Sequence, residues 1–198
     1  GKQQPSVTRQ MPIARAGHQM FRPFLYMTKA WILVGMMGSG KSTVGKAVAE
    51  ASGREFIDTD VLLQNRFGRT IPQIFSLYGE ETFRAHETSV LKSVSCANCV
   101  LSTGGGIVTR LENWTEMKRL GIIAYLHADW KTLAERLEQS KRKRPLLDRT
   151  DWKEELERLM NEREPQYRQA DFVIEVDQQD INVAAQRVID EFQKREAV

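Results

Sequence analysis

The chain has 198 residues, of which 41% are hydrophobic and 28% are charged, and its formal net charge is +3. This length is typical of one domain, and the composition is that of an ordinary globular protein. No apolar run reaches the roughly 18 residues that a membrane span requires, so we expect no membrane partner. The two cysteines are too few for a disulfide framework, which favours a reducing compartment, and we expect a cytoplasmic monomer.

Residues 1–26 differ in composition from the rest of the chain. They contain four basic residues, no acidic residue and three of the six prolines. Without these four charges the net charge falls from +3 to −1, which argues against a general nucleic-acid-binding surface. We expect an amino-terminal extension, derived from expression or upstream sequence or, alternatively, an organelle transit peptide, followed by one domain over residues 27–198. Nucleic-acid binding through the basic extension is a further alternative.

The first predicted strand, AWILVG, leads into a glycine-rich loop and then into a helix. The loop GMMGSGKST has the spacing of a phosphate-binding loop, with Gly35, four residues, and then Gly40, Lys41 and Ser42. Backbone N–H groups of such a loop wrap phosphates, and the amino end of the helix adds partial positive charge. Lys41 can reach the β- and γ-phosphates, and the Ser42 hydroxyl can bind Mg²⁺. A chance glycine-rich turn is the alternative.

The second predicted strand, REFIDTD, ends with two carboxylates, Asp58 and Asp60. Residues two apart on an extended segment point to the same side, so we expect both carboxylates to project toward one edge of the sheet. One could serve a metal ion through water, and the other could bind a substrate hydroxyl. A helix N-cap is the alternative role for Asp60.

A long helical region follows and contains Arg84 three residues before Glu87, in FRAHE. An exposed ion pair within the helix is the simplest interpretation of this spacing. The pair Cys96 and Cys99 in CANC could be half of a zinc site, but no second cysteine or histidine pair completes it. A metal or redox role for the two cysteines is therefore disfavoured.

The third predicted strand, CVLS, runs into three consecutive glycines, Gly104, Gly105 and Gly106. Because glycine loses more backbone freedom on folding than any other residue, such a run is costly. The cost indicates that something approaches this backbone too closely for a side chain. A loop at the end of a strand is the alternative.

The run SKRKRPLLDR follows a helix after the fourth predicted strand, GIIAYLH. Between two helices of a phosphate-binding protein it favours a mobile flap that closes on ATP, over a nuclear-localisation-like patch or a solvated helix end. Farther along, Arg163 continues an apolar stripe formed by Trp152, Leu156, Leu159 and Met160. An arginine on a buried stripe needs an anionic partner, although its side chain could instead extend to solvent.

A fifth predicted strand, DFVIEV, and a helix from about Asp180 complete the chain. Strands that alternate with helices predict an α/β fold with a parallel sheet and helices on both faces. Such sheets bind ligands at the carboxyl ends of their strands.

Taken together and in this order, the motifs resemble the shikimate kinases, which are P-loop kinases with the fold of the nucleoside monophosphate kinases. The resemblance runs from about Thr28 to the carboxyl end and rests on GMMGSGKST, DTD, FRAHE, TGGG, RPLL and REPQYRQA. It implies three αβα layers around a five-stranded parallel sheet in the order 2-3-1-4-5, a substrate-binding insertion at about residues 60–95 and a lid at about 139–150. The implied reaction is ATP-dependent phosphorylation of the 3-hydroxyl of shikimate, on the pathway to chorismate and the aromatic amino acids.

The resemblance also implies roles for individual residues. The implied nucleotide-binding residues are Gly38, Ser39, Gly40, Lys41, Ser42, Thr43, Arg136 and Arg144. The implied substrate-binding residues are Asp60, Arg84, Gly104, Gly105, Gly106 and Arg163, with Glu87 orienting Arg84. The implied catalytic residues are Lys41, the candidate base Asp60 and the lid arginine Arg144. One Mg²⁺ would be bound by Ser42 and, through water, by Asp58, and the partners would be ATP and shikimate without nucleic acid.

Two stretches depart from the family pattern. CANC is not a family feature, and VDQQD after the fifth strand contains no residue that matches an adenine contact. Another small-molecule kinase of this fold, for gluconate or a nucleoside monophosphate, is the nearest rival, but DTD, TGGG and two separated arginines disfavour it. A regulatory nucleotide-binding module without catalysis would lack Asp60, Arg84 or Arg163, and all three are present.

Overall fold

A computed structural model of the chain describes residues 29–140, 150–177 and 180–197. The strands in chain order are Ala30–Val34 (β1), Glu55–Asp58 (β2), Cys99–Ser102 (β3), Gly121–His127 (β4) and Phe172–Glu175 (β5). They form one parallel sheet in the order β2-β3-β1-β4-β5. The predicted α/β class and strand order are therefore confirmed.

Helices connect the strands and cover the sheet in the three-layer αβα arrangement. They are Lys41–Ser52 (α1), Thr59–Phe67 (α2), Ile71–Ser93 (α3), Leu111–Leu120 (α4), Trp130–Gln139 (α5), Trp152–Tyr167 (α6) and Ile181–Glu196 (α7), with a short 3₁₀ helix at Ile107–Thr109. Within the described ranges, every helix is too short or too polar to cross a lipid bilayer.

The central strand β1 is buried along its whole length, between β3 on one side and β4 on the other. Its continuous apolar run, AWILV, follows from this position, because helices cover both faces of a parallel sheet. The parallel order brings the carboxyl ends of β2, β3 and β1 to one edge, where the chain continues into DTD, TGGG and the glycine-rich loop.

The α2–α3 unit has a small apolar core of its own. Leu63, Ile74, Phe83 and Val90 pack together there, apart from the main core around the sheet. Gly79, with a φ of 75°, interrupts α3, so that the half carrying Arg84 and Glu87 runs in a separate direction. These helices span the region expected to be the substrate-binding insertion, and that role stays a prediction.

The structure pairs Cys96 with Cys99 in a disulfide between α3 and β3. The low cysteine count predicts that both thiols are reduced, whereas the structure joins Cys96 to Cys99. The reason is local: a short turn brings the two Cα atoms to 6.0 Å, a separation that a disulfide can bridge.

The carboxyl end of α7 is attached to the amino edge of the sheet by a cluster of three side chains. Glu196 Oε1 accepts hydrogen bonds from Trp31 Nε1 at 2.8 Å and from Arg54 Nη2 at 2.7 Å. The Arg54 guanidinium also lies over the Trp31 ring, 3.8 Å from its centroid, and only 6% of the arginine side chain is exposed. Removal of Glu196 would leave two buried donors without this acceptor.

We expect Glu196→Ala to lower the free energy of unfolding by about 1.5–3 kcal/mol, because hydrogen bonds to charged groups contribute this much and the buried guanidinium loses its counter-ion. Glu138→Ala is the matched control, because Glu138 forms an exposed ion pair with Lys153, and exposed pairs contribute about 0–1 kcal/mol. Urea denaturation measures both changes. Equal losses in the two variants would show that the cluster does not hold α7 in place.

Candidate active site

The glycine-rich loop joins β1 to α1 and curls around the Lys41 side chain. Gly38 and Gly40 have φ values of 84° and 89°, in the left-handed region that favours glycine. The Lys41 ammonium donates to the carbonyl oxygens of Gly35 at 2.8 Å and Met36 at 2.9 Å. The loop therefore forms a nest of backbone groups with one positive charge inside it, which suits the binding of phosphates.

Ser42 and Asp58 face each other where α1 begins and β2 ends. Ser42 Oγ donates to Asp58 Oδ2 at 2.7 Å, and Asp58 Oδ1 accepts from the backbone N–H of Asp60 at 3.0 Å. Asp58 is thus the N-cap of α2, so the alternative N-cap role for Asp60 is wrong. Asp60 also does not lie on an extended segment, because β2 ends at Asp58 and Asp60 falls in the first turn of α2.

Two of the three glycines, Gly104 and Gly106, lie against charged side chains of α2 and α3. A Cβ on Gly104 would come within 2.7 Å of Glu87 Oε1 and 2.8 Å of Asp60 Oδ1. A Cβ on Gly106 would come within 2.0 Å of Arg84 Nη1. A larger residue at either position would therefore displace a charged side chain, and the plain interpretation as a loop after a strand is insufficient.

Arg84 and Glu87 form a buried ion pair, not the exposed pair that their spacing alone indicates. Arg84 Nη1 lies 2.6 Å from Glu87 Oε2, and the exposed fractions of the two side chains are 14% and 4%. Burial raises the pKa of Glu87, although Arg84 opposes this effect. Burial disfavours the charged guanidinium, but Glu87 and then Glu80 outweigh it and raise the pKa of Arg84. Arg84 therefore keeps its positive charge.

Arg163 of α6 is buried, with 7% of its surface exposed, so the alternative in which its side chain extends to solvent is wrong. Its Nε atom has no hydrogen-bond partner among the residues that the structure describes. Arg84 and, more weakly, Arg163 interact electrostatically with Glu87, and both oppose the rise that burial causes in its pKa. The Arg84–Arg163 cluster lies near the glycines, because Arg84 borders Gly106 and Arg163 interacts with Tyr167, whose hydroxyl donates to Gly105.

A cleft of about 490 Å³ extends along this edge of the sheet. Its lining includes the loop residues Met37, Gly38, Ser39, Gly40, Lys41, Ser42 and Thr43. It also includes Asp60, Thr103, Gly105, Arg136, Ser140, Val176, Ile181 and Ala184. The cleft thus connects the phosphate-binding loop with Asp60 and the glycines, and it contains Arg136 as well.

Sequence reasoning missed the apolar residues of this cleft. Val176 follows β5, and Ile181 and Ala184 lie in the first turns of α7. Ile181 continues the apolar stripe of α7, but 45% of its surface is exposed. Arg136 donates from Nη2 to the Val176 carbonyl, which holds it in this part of the cleft. The one sequence signal for this apolar surface is Ile181, which directly follows the Asp180 N-cap and continues an otherwise buried stripe.

The structure brings together most of the predicted site residues from distant parts of the chain. Of the lid predicted at about residues 139–150, residues 141–149, which include Arg144, lie outside the described residues. The roles of all the predicted site residues stay predictions.

Comparisons with known proteins agree with one another. The family model described as shikimate kinase matches residues 37–193. The shikimate kinase of Caldicellulosiruptor bescii is 42% identical over 159 residues, which is 80% of this chain and 92% of that protein. The shikimate kinase of Synechococcus elongatus is 42% identical over 160 residues, which is 80% of this chain and 83% of that protein.

The solved structures give the same result. The shikimate kinase of Acinetobacter baumannii in complex with shikimate has a TM-score of 0.80 and 38% identity, covering 84% of this chain and 94% of that one. A gluconokinase from Sinorhizobium meliloti has a TM-score of 0.56 and 17% identity, covering 86% of this chain and 95% of that one. The second similarity shows the fold alone.

We expect Gly106→Ala to destabilise the protein by about 1–3 kcal/mol, as overpacking does, because the new methyl group would overlap the Arg84 guanidinium. The φ of Gly106 is −92°, so alanine adds no backbone strain. In an Arg84→Ala background the space is free, and the same change should cost less than about 0.5 kcal/mol. Urea denaturation of the four proteins gives the coupling free energy.

Gly105→Ala is the control for this cycle, because the nearest atom to its Cβ would be Met37 N at 3.4 Å. We expect a smaller cost there, similar in both backgrounds. Additive effects of Gly106→Ala and Arg84→Ala would show that the glycine does not make room for the arginine.

Proposed function

The chain belongs to the shikimate kinase family, and from this membership we propose that it transfers the γ-phosphoryl group of ATP to the 3-hydroxyl of shikimate. The products are shikimate 3-phosphate and ADP. The observation that supports this function best is the pair of buried arginines, Arg84 beside Gly106 and Arg163 with an Nε that is unpaired within the described part of the chain, near the Asp60 carboxylate that borders Gly104. A location in the cytoplasm, a monomeric state and the absence of a nucleic-acid partner stay predictions.

On the nucleotide side, the backbone N–H groups from Gly38 to Thr43 would bind the phosphates, with the Lys41 ammonium between them. Lys41 donates to two loop carbonyls, and phosphate oxygens would replace these acceptors. The apolar surface of Val176, Ile181 and Ala184 beside Arg136 suits an adenine base.

The hydroxyl of Ser42 and the carboxylate of Asp58 fit a Mg²⁺ ion, because both supply the oxygen ligands that this ion prefers. Ser42 would bind the ion directly and Asp58 through water. When bound, Mg²⁺ neutralises part of the negative charge on the phosphates.

On the acceptor side, Arg84 and Arg163 would bind the carboxylate of shikimate through charge-assisted hydrogen bonds. Glu87 holds Arg84 Nη1, and Glu80 lies 3.3 Å from Nη2. Asp60 would accept a hydrogen bond from the 3-hydroxyl. As the hydroxyl oxygen bonds to the γ-phosphorus, the bond to the bridging oxygen of ADP breaks and the hydroxyl proton passes to Asp60. Positioning and charge neutralisation make the main contribution to such a reaction.

The proposed function is tested by coupled ADP release with shikimate, gluconate and AMP as acceptors. We expect kcat/KM for shikimate to exceed the other two by at least about 10²-fold, because only shikimate matches both the carboxylate grip and the hydroxyl position. Preference for gluconate or AMP would assign the chain to a rival kinase. ADP release that no acceptor stimulates would favour a module without acceptor chemistry.

Arg84→Ala and Arg163→Ala should each lower kcat/KM for shikimate by about 10²-fold, since a charge-assisted contact contributes about 1.5–3 kcal/mol per hydrogen bond. Lysine should restore little, because it offers a point charge in place of a planar fork. Arg158→Ala on the exposed face of α6 is the matched control and should leave kcat/KM unchanged.

The decisive comparison uses a shikimate analogue in which a neutral carboxamide replaces the carboxylate. Wild-type protein should discriminate strongly against the amide, and the Arg84 and Arg163 variants should lose most of this discrimination. Variants that still prefer the acid as strongly as wild type would show that neither arginine reads the carboxylate.

A further inference from the structure

Tyr167, the last residue of α6, places a hydroxyl where three parts of the site meet. Its ring is fully buried, and its hydroxyl donates to the carbonyl oxygen of Gly105. The same hydroxyl lies 3.7 Å from Met36 Sδ in the phosphate-binding loop. Arg163 also interacts with it, from one helical turn earlier on α6. The hydroxyl oxygen of Tyr167 thus connects the glycines, the phosphate-binding loop and the Arg84–Arg163 cluster.

Packing alone does not require this hydroxyl. The Tyr167 ring stacks on Tyr125, with centroids 4.9 Å apart and an interplanar angle of 14°, and phenylalanine would fill the same space. A buried hydroxyl is costly unless it forms a hydrogen bond, so its bond to Gly105 has to offset that cost. Burial raises the pKa of Tyr167 to about 12, which keeps the hydroxyl protonated as a donor at neutral pH.

The hydrogen bond from Tyr167 restrains a backbone segment whose own residues restrict it little. The carbonyl of Gly105 and the N–H of Gly106 belong to one planar trans peptide and point in opposite directions. Glycines on both sides of this peptide leave its plane free to rotate, because no Cβ restricts the flanking dihedral angles. A donor that fixes the carbonyl of Gly105 therefore also fixes the direction of the Gly106 N–H.

We propose that Tyr167 is a positioning residue for phosphoryl transfer, whose hydroxyl holds the Gly105–Gly106 peptide plane so that acceptor and phosphoryl group are aligned. This inference rests on the proposed function. Because Tyr167 and Arg163 lie on the same face of α6, the helix sets the distance between the carboxylate grip and the peptide. Misalignment of this kind reduces turnover more than binding, since reaction rates depend steeply on geometry.

Tyr167→Phe and Tyr125→Phe form a matched pair for the test. Each removes one hydroxyl from the same stacked pair of rings, but the Tyr125 hydroxyl donates to Glu164 and not to the glycines. We expect Tyr167→Phe to lower kcat with shikimate by about 10- to 100-fold, with both KM values within about twofold of wild type. It should also release more ADP per shikimate 3-phosphate formed, because a misaligned acceptor lets water compete. Tyr125→Phe should change neither quantity.

Two kinetic outcomes would overturn the proposal. An unchanged kcat with a lower melting temperature would make the hydroxyl merely structural. A raised KM for shikimate at constant kcat would mean that Tyr167 acts on the Arg163 grip instead.

Amide hydrogen exchange gives a second readout that does not depend on shikimate. The Gly106 amide should exchange faster in Tyr167→Phe than in wild type and Tyr125→Phe, and unchanged exchange would overturn the anchoring role. If wild type does not phosphorylate shikimate, the proposed function fails. The exchange experiment then still decides whether Tyr167 holds the peptide, and the kinetic comparison moves to the acceptor that wild type uses.

Discussion

The backbone of Gly104 and of Gly106 lies directly against charged side chains, and a Cβ on either glycine would occupy space that Glu87 or Arg84 takes. This close approach lets the α2–α3 unit rest on the edge of the sheet with its ion pair turned inward. It also places Asp60 beside Gly104. The Arg84–Glu87 pair, Asp60 and the end of β3 are therefore held in one arrangement by the absence of side chains at Gly104 and Gly106.

A contribution to the stability of the fold does not explain the buried charges of Arg84, Glu87 and Arg163. Desolvation of an arginine and a glutamate often costs more than their attraction returns, so a buried ion pair is weak support for stability. Arg163 adds a second buried guanidinium whose Nε has no partner among the described residues. Burial of both guanidinium groups is understandable if an anionic ligand completes the cluster. The raised pKa of Glu87 fits this reading, because burial acts against its charge.

Different kinds of interaction form the phosphate-binding part and the acceptor part of the candidate site. At the phosphate end, local backbone geometry and the Lys41 ammonium create a site that needs little from the rest of the chain. At the acceptor end, no local segment forms a site by itself, because its residues come from α2, α3, α6 and the loop after β3. Shared contacts such as the Tyr167 hydroxyl on Gly105 are what couple these elements.

The features that the sequence determined by itself are local in the chain. The phosphate-binding loop could be predicted because strand, glycines and helix are contiguous, and the parallel sheet because strands alternate with helices. The order of the motifs indicated the family.

Tertiary packing decided the features that join distant residues. The burial of Arg84 and Arg163, the contact of Arg84 with Gly106, and the apolar cleft at Val176 and Ile181 depend on elements far apart in sequence, which periodicity cannot relate. Even the position of Asp60 inside α2 depended on which of two aspartates, two residues apart, caps the helix. The Asp58 side chain takes that cap, while also accepting from Ser42 on a different helix.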